Sequence, residues 1–318
     1  MTSFKQPLGA SDAPPLPKQV PSGDGAGMDG ESLARRLEQF SGFRVLRALK
    51  LDAGLSSLGA IKFDERIAVV VDSETTGLDA TQDRMVEIAA QRFCFDATGG
   101  IRAIERVQSW LEDPGRTMPE RLVALTGLTD DMLAGQRFND DAVLSILSSA
   151  DLIIAHNAAF DRPFFDNRFP KLRESRWACS MTQLDWADHG FDGRALGHLV
   201  MQCGWYFEGH RAAADVRALT TLLGHNARDE RTLFAHLLDA SNSETIRIEA
   251  IGAPFNAKNT LKQRGYRWDR NGQFWCCEAT SQTASEELSW LDSHVYFGRG
   301  TPNIRNVTAR ERFILQPQ

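Results

Sequence analysis

Ile67–Asp79 reads IAVVVDSETTGLD, and this stretch decides the fold. Ile67–Val71 is apolar without interruption, whereas a strand with one wet face alternates apolar and polar residues. The run predicts a strand buried on both faces, as in the middle of an α/β sheet. Asp72 and Glu74 stand at its end, two residues apart. Side chains alternate along a strand, so both carboxylates leave from one face. Thr75-Thr76-Gly77 then predicts a turn, where the glycine lets another molecule approach the backbone closely.

Downstream, MVEIAAQRFCFD reads as a second strand and IRAIERVQSWL as a third, separated by the turn signal Ala97-Thr98-Gly99-Gly100. PERLVALTG and NDDAVLSILSSA read as helices, DLIIAH as a buried strand, AAFDRPFFDNRF as a helix and RWACS as a short strand. Arg211–His225 and Glu230–Ala240 read as further helices. Three consecutive strands, followed by strands alternating with helices, predict an α/β fold with a mixed β-sheet flanked by helices.

Ser241-Asn242-Ser243 reads as a linker to a small C-terminal α+β module. That module shows a strand (IRIEAIGAPF), a helix (NAKNTLKQRGY), a hairpin (RWDRNGQFWCCEA) on an Asn271-Gly272 turn, and a helix over Thr283–His294. Residues 1–30, rich in Pro, Gly, Ser and Asp, read as a disordered arm. Leu33, Leu37, Phe40, Val45, Leu46 and Leu49 have near-helical spacing, which predicts an amphipathic helix over Glu31–Lys50, broken at Ser41-Gly42. The expected domains are therefore an arm (1–30), a helical segment (31–60), the main domain (61–242) and an accessory module (243–318).

The chain has 318 residues, 42% hydrophobic and 25% charged, which excludes disordered, collagen-like and fibrous classes. No apolar run is long enough to span a bilayer, and residues 1–30 show no apolar signal core. Five cysteines form no C-x-x-C pair and suit reduced thiols, so a cytoplasmic setting without membrane contact is expected. A net charge of −6 at first argues against a nucleic-acid partner, which favours basic domains. Carboxylates clustered in a metal site would reverse that argument. From Ser243 onward, ten Lys/Arg face eight Asp/Glu, a small local surplus of positive charge.

Further acidic residues join the pair at Asp72 and Glu74. Asp161 falls early in the helix after DLIIAH, with Asn157 at the turn between them. Taken alone, Asp161 is an ordinary helix-start charge. His210 and Asp215 are five residues apart, about 140° around an ideal helix, so they do not share a helical face. The economical arrangement puts Asp215 on the helix and His210 on the loop before it, after Gly209, where an imidazole can move to meet a substrate. Four acids and one histidine suit hard cations such as Mg²⁺ or Mn²⁺, two of which can clamp an in-line attack on phosphorus. A neutral histidine can take the proton of the attacking water.

VVVDSETTGLD, AHNAAFD and HRAAAD, in that order, resemble the three motifs of the DEDDh group of DnaQ-like 3′–5′ exonucleases. That family includes the proofreading epsilon subunit of bacterial DNA polymerase III, RNase T, oligoribonuclease and the TREX enzymes. The resemblance covers roughly residues 67–240. Histidine five positions before Asp215 matches the histidine subgroup; the tyrosine subgroup needs Tyr where Arg211 stands.

The resemblance implies a ribonuclease H-like core, two Mg²⁺ or Mn²⁺ ions, and single-stranded DNA or RNA 3′ ends as substrate, with a DNA polymerase as a further partner. It implies that Asp72 bridges both ions, that Glu74 and Asp215 complete the site of the ion holding the nucleophilic water, and that Asp161 serves the other through water. It makes His210 the general base and Leu78 a wedge between terminal bases. Thr75, Thr76 and Gly77 would hold the terminal nucleotide, and Asn157 would fix Asp161 or touch the scissile phosphate. LTGLTDDML resembles the family's loop and helix after the third strand, with Thr126 where many relatives carry His.

Eight aromatics lie between Phe255 and Phe297, interleaved with Lys258, Lys262, Arg264, Arg267 and Arg270. Both a stacking platform for single strands and a self-contained core fit that pattern. A chain ending at Ser243 carries every candidate catalytic residue and is expected to act on short oligomers without the module. The function expected is metal-dependent 3′–5′ hydrolysis of single-stranded nucleic acid, DNA first, to nucleoside 5′-monophosphates, in proofreading or repair. The alternatives are an RNA-trimming enzyme and a non-catalytic binding adaptor. A zinc phosphodiesterase would need histidine clusters that the sequence lacks.

Overall fold

The computed structural model describes residues 29–50, 54–56, 58, 65–269 and 272–315. The expected disordered arm lies outside the described residues except for its last two positions. Two units are distinguished, residues 1–45 and 46–318. In the first, α1 (Gly30–Leu37) starts at Asp29, whose carboxylate accepts the Ser32 amide at 2.9 Å. The helix is shorter than its apolar spacing predicts. Arg47–Ala48, expected to be helical, instead form strand β1 in the second unit.

The second unit begins with that strand and continues through β2 (Arg66–Thr75), β3 (Met85–Phe95), β4 (Ile101–Ile104) and β5 (Gln108–Leu111). Three helices follow, α2 (Glu120–Thr126), α3 (Asp130–Leu133) and α4 (Asp140–Ser148). Then come β6 (Leu152–Ala155), α5 (Ala158–Arg168), β7 (Trp177–Cys179), α6 (Ser180–Gln183) and α7 (Leu196–Gln202). The two-residue β8 (Trp205–Tyr206) pairs with β1, and α8 (Ala212–Leu223) and α9 (Leu233–Asn242) complete the layer.

The central sheet runs β4-β3-β2-β6-β7, with β5 also paired to β3. β2 is antiparallel to β3 and parallel to β6, and β6 is parallel to β7. This is the mixed, helix-flanked sheet of a ribonuclease H-like α/β fold. The single third strand expected over IRAIERVQSWL is two short ones, each pairing with β3. Ala68 and Val70 face α8 and α9, whereas Val69 and Val71 face α4 and α5. Alternation is thus hidden in an all-apolar run because both faces are covered.

Downstream of α9 lie β9 (Thr245–Ala250), α10 (Lys258–Gln263), β10 (Arg267–Asp269), β11 (Phe274–Ala279), α11 (Ala284–Leu291) and β12 (Asn303–Val307). They form a four-stranded antiparallel sheet, β10-β11-β9-β12, with its own core around Ile248, Leu261, Tyr266, Trp275 and Leu291. Residues 270–271, including Asn271 of the expected turn, lie outside the described residues. The last helix ends at Leu291 and closes with one wider π turn, Asp292–Tyr296. Cys276 and Cys277 stand on alternate positions of β11, and only Cys277 packs on the module's core.

The predicted linker is not a linker. α9 runs to Asn242, Ser241 is buried, and β9 starts at Thr245. The C-terminal segment also returns to the main sheet, where the Trp177 amide donates to the Ala309 carbonyl at 2.8 Å. Arg162, completely buried, donates to the carbonyls of Arg312 and Arg310 at 2.6 Å each and of Arg173 at 2.7 Å. Asp166, one helical turn on, is its only ion-pair partner among the described residues, at 3.2 Å. A buried guanidinium needs its donors satisfied, and residues about 150 positions away satisfy two of them.

Candidate active site

The alternation along β2 continues past its apolar run. Asp72 and Glu74 extend the row of Ala68 and Val70 and emerge on the α8 side. Asp215, the fourth residue of α8, meets them there: carboxylate oxygens of Asp72, Glu74 and Asp215 lie within 4.8 Å of one another. Ser73, of opposite parity, points to the α5 side, and its hydroxyl donates to Asp161 at 2.8 Å. Asp161 is the fourth residue of α5 and is buried. Two helix starts thus deliver their aspartates to the end of one strand, where the amino-terminal helix dipoles favour negative charge.

Burial and mutual repulsion dominate the electrostatics. Burial pushes Glu74 up to about 8, with the charges of Asp215 and Glu87 adding to the effect. Asp72 is pushed well above the usual carboxylate range by burial and by Asp161 and Asp215. Burial raises Asp161, against the opposing hydrogen bond from Ser73. Asp215 is also raised by burial, although the backbone of His210 and Arg211 counteracts this. Its Oδ2 is buried without a hydrogen-bond partner among the described residues. An all-oxygen donor set, crowded, desolvated and with an orphaned acceptor, fits a hard divalent cation.

The sign of the pH effect follows. Carboxyls raised in the folded state stabilise it below their unfolded values near 4, and that contribution is lost as pH rises through about 8. Chelator-treated protein should therefore melt at progressively lower temperature between pH 5 and 8, and Mg²⁺ or Mn²⁺ should reverse the loss. Thermal melts with and without EDTA measure it; a flat profile would show that the carboxylates are not strained.

Thr75–Leu78 forms the rim next to the carboxylates. The β2–β3 register slips between Glu74 and Thr75, a bulge that turns the chain out of the sheet. The Thr75 hydroxyl donates to the Gly77 carbonyl at 2.5 Å. Asp83 accepts from the Thr76 hydroxyl at 3.1 Å, from the Asp79 amide at 3.0 Å and from Arg116 at 2.7 Å. A Cβ on Gly77 would overlap the Asp83 carboxylate, so any larger residue there would displace Asp83 from these bonds. Leu78 is 78% exposed, an apolar side chain standing in solvent at this rim.

Asn157 occupies the N-cap position of α5, but its side chain makes no capping bond; its carbonyl accepts the Phe160 amide at 2.7 Å. His156, beside it, bonds Ser180 at 2.9 Å and the Arg194 carbonyl at 2.8 Å, a structural role. Thr126 is buried and returns its hydroxyl to the Leu122 carbonyl. His210 lies on the loop before α8, exposed, with a left-handed φ of +65°. For a non-glycine residue that conformation is uncommon and costs energy, so the surroundings must hold it.

Glu87, which sequence reading missed, supplies that hold. It is 1% exposed, directly opposite Glu74 in the β2–β3 register, and bonds Arg211 at 3.0 and 3.2 Å. It also accepts the Ala212 amide at 3.2 Å. The residue after His210 is thereby clamped to β3. In sequence, the signal was a charged residue inside the apolar strand MVEIAA.

The family model for the RNase_T exonucleases matches residues 69–223. The DNA polymerase III subunit epsilon of Treponema pallidum is 30% identical over 191 residues, covering 55% of this chain and 83% of that protein. The PolC-type DNA polymerase III of Bacillus subtilis is 34% identical over 113 residues, which are 35% of this chain and only 7% of that much longer polymerase. Among solved structures, exonuclease X in complex with 5′ overhanging duplex DNA is similar at 23% identity and a TM-score of 0.37, over 53% of this chain and 99% of that one. The family model spans the residues that build the carboxylate cluster, and the epsilon subunit is matched over most of its length; on that ground the chain belongs to the RNase_T family of exonucleases.

Proposed function

We propose that this chain removes nucleotides one at a time from the 3′ end of single-stranded DNA, releasing nucleoside 5′-monophosphates. The observation that carries this reading is the convergence of Asp72, Glu74 and Asp215 within 4.8 Å, with Asp161 behind Ser73. These four residues would hold the divalent cations, Mg²⁺ or Mn²⁺. When bound, such ions neutralise charge on a scissile phosphate and make water a better nucleophile at neutral pH.

The remaining work falls to the chain itself. The Thr75–Gly77 backbone receives the terminal nucleotide, and Leu78 separates its base from the next. The water oxygen attacks phosphorus, its proton passes to a ring nitrogen of His210, and the bond from phosphorus to the 3′-oxygen of the preceding nucleotide breaks. Glu87 and Arg211 keep His210 where that transfer can occur. DNA is favoured over RNA because the relatives matched are named as subunits or forms of DNA polymerase III. The same names support a proofreading or repair role in the cytoplasm beside a polymerase. No helix among the described residues is long and apolar enough to cross a membrane.

Matched 3′-labelled DNA and RNA oligomers, incubated with Mg²⁺ or Mn²⁺, test the reading. Mononucleotide release from DNA at a higher kcat/KM than from RNA is expected; preferential RNA trimming would reverse the substrate, and no release would favour a binding adaptor. His210→Ala should lower kcat by about 10²–10⁴-fold, the usual contribution of a general base. Metal affinity by calorimetry should hardly change, because the His210 ring is outside the carboxylate cluster. A loss of affinity as large as that of Asp215→Ala would make it a ligand.

A further inference from the structure

The C-terminal module presents aromatic rings to solvent that its own core does not use. Phe255 is 88% exposed and Phe297 72% exposed, while Tyr266, Trp275 and Tyr296 are buried in the core. Of the module's other aromatics, Trp290 packs against that core, Phe274 is half-buried and Trp268 is 48% exposed, which leaves Phe255 and Phe297 as the two most exposed rings. Single exposed rings are ordinary on a protein surface; what surrounds these two is not.

Their setting is specific. The loop after β9 and the loop after α11 are tied together by the Tyr296 hydroxyl, which donates to the Ile251 carbonyl at 2.7 Å. Between them lies a concavity of about 450 Å³ lined by Gly252, Pro254, Val295, Tyr296, Phe297 and Arg299. Phe297 has a left-handed φ of +52°, an uncommon conformation for an aromatic residue. Its amide donates to the Asp292 carbonyl at 2.6 Å, and the next amide, of Gly298, donates to the Asp292 carboxylate at 3.1 Å. A strained backbone, held by hydrogen bonds on both sides, thus keeps this ring outside the core.

Two cations flank the rings. Lys258 Nζ lies 6.0 Å from the centre of the Phe255 ring, and Arg299 lines the concavity. Neither forms an ion pair among the described residues, a state they share with Lys262, Arg267 and Arg310, whereas Arg247, Arg264, Arg305 and Arg312 of the same module are neutralised by carboxylates. Flat apolar rings beside unneutralised cations match the two faces of a single strand, stacked bases and phosphates. An acidic peptide would satisfy the cations but gives the rings no planar partner.

We propose that the turn at Phe255, the start of α10 at Lys258 and the loop carrying Phe297 and Arg299 form a second binding surface for single-stranded nucleic acid, holding substrate outside the site at Asp72. This rests on the proposed exonuclease function for the identity of the strand. The surface serves long strands only, so it changes binding and leaves the chemistry at the terminal phosphate alone.

The test uses the full chain with Phe255→Ala/Phe297→Ala and, separately, Lys258→Gln/Arg299→Gln. Binding of fluorescent oligothymidylates, a trinucleotide and one of about 30 nucleotides, is measured in Ca²⁺ across a salt series, and trinucleotide hydrolysis in Mg²⁺. Removing the rings should weaken binding of the long strand by about 5- to 150-fold per stacked base and leave the trinucleotide unchanged. Removing the cations should flatten the salt dependence by about 0.7 in log–log slope for each phosphate that is no longer neutralised. Long-strand affinity and slope equal to wild type in both variants would overturn the proposed surface. So would wild-type strand binding combined with loss of binding to a polyglutamate peptide, which would make the surface a protein site. The two readings fail separately. Hydrolysis with unaltered long-strand binding in the variants removes only the second surface, whereas weakened long-strand binding in the variants, with a wild type that cleaves no 3′ end, removes only the exonuclease function.

Discussion

Asp72→Asn should lower exonuclease turnover by more than about 10³-fold, because several kcal/mol of charge stabilisation at phosphorus depend on this carboxylate. Asp72 is the member of the cluster acted on by all the others: Asp161, Asp215, Glu74 and Glu87 each raise its carboxyl, after burial. Replacing it with a neutral isostere removes the centre of that repulsion. The variant should therefore melt at a higher temperature than wild type at pH 8 in EDTA, while gaining much less from added Mg²⁺. Single-turnover digestion of a 3′-labelled oligomer reads the first effect and calorimetric melts the second. More than a few per cent of wild-type turnover would remove Asp72 from the centre of the site. A lower melting temperature in EDTA would mean that its carboxylate is structurally satisfied rather than strained.

A chain ending at Ser243 should fail to form a stable domain, although it keeps every candidate catalytic residue. Truncation removes the carbonyls of Arg310 and Arg312 from the buried Arg162 guanidinium and the Ala309 carbonyl from the Trp177 amide. Each buried donor left without its acceptor typically costs about 1–3 kcal/mol, more for a charged group. Summed, such losses are a large share of the about 5–15 kcal/mol that holds an ordinary domain together. Arg162 adjoins Asp161, so its disturbance also reaches the candidate site. Denaturant unfolding and gel filtration of the truncated chain should show an expanded or aggregating species. Arg162→Met in the truncated chain should recover part of the loss, since it removes the unsatisfied charge. A truncated chain that unfolds cooperatively at the wild-type midpoint would mean that the C-terminal segment is dispensable.

This second expectation reverses the one drawn from sequence, and the reason is physical. Ser241-Asn242-Ser243 has the composition of a linker, but composition reports local preference. Ser241 is buried because α9 packs there, and its hydroxyl bonds the Leu238 carbonyl. In the same way, spacing over Glu31–Lys50 satisfied a helix, yet Arg47 and Ala48 pair with Trp205 and Tyr206. A partner strand about 150 positions away leaves no trace in a helical periodicity.

The sequence by itself determined whatever depends on neighbours along the chain. The apolar run Ile67–Val71 implied a strand covered on both sides, and the two-residue period put Asp72 and Glu74 on one face. The five-residue spacing separated His210 from the helix of Asp215. Tertiary structure alone decided what depends on register and on distant acceptors. Opposite Glu74, the pairing of β2 with β3 placed Glu87, whose bonds to Arg211 hold the strained His210 loop. Ser73, which stands between the two acids, is the hydroxyl that holds Asp161. Arg162, on which no local pattern comments, is the buried anchor of the C-terminal segment. Local pattern specifies which way a side chain points; only the folded chain specifies what it meets.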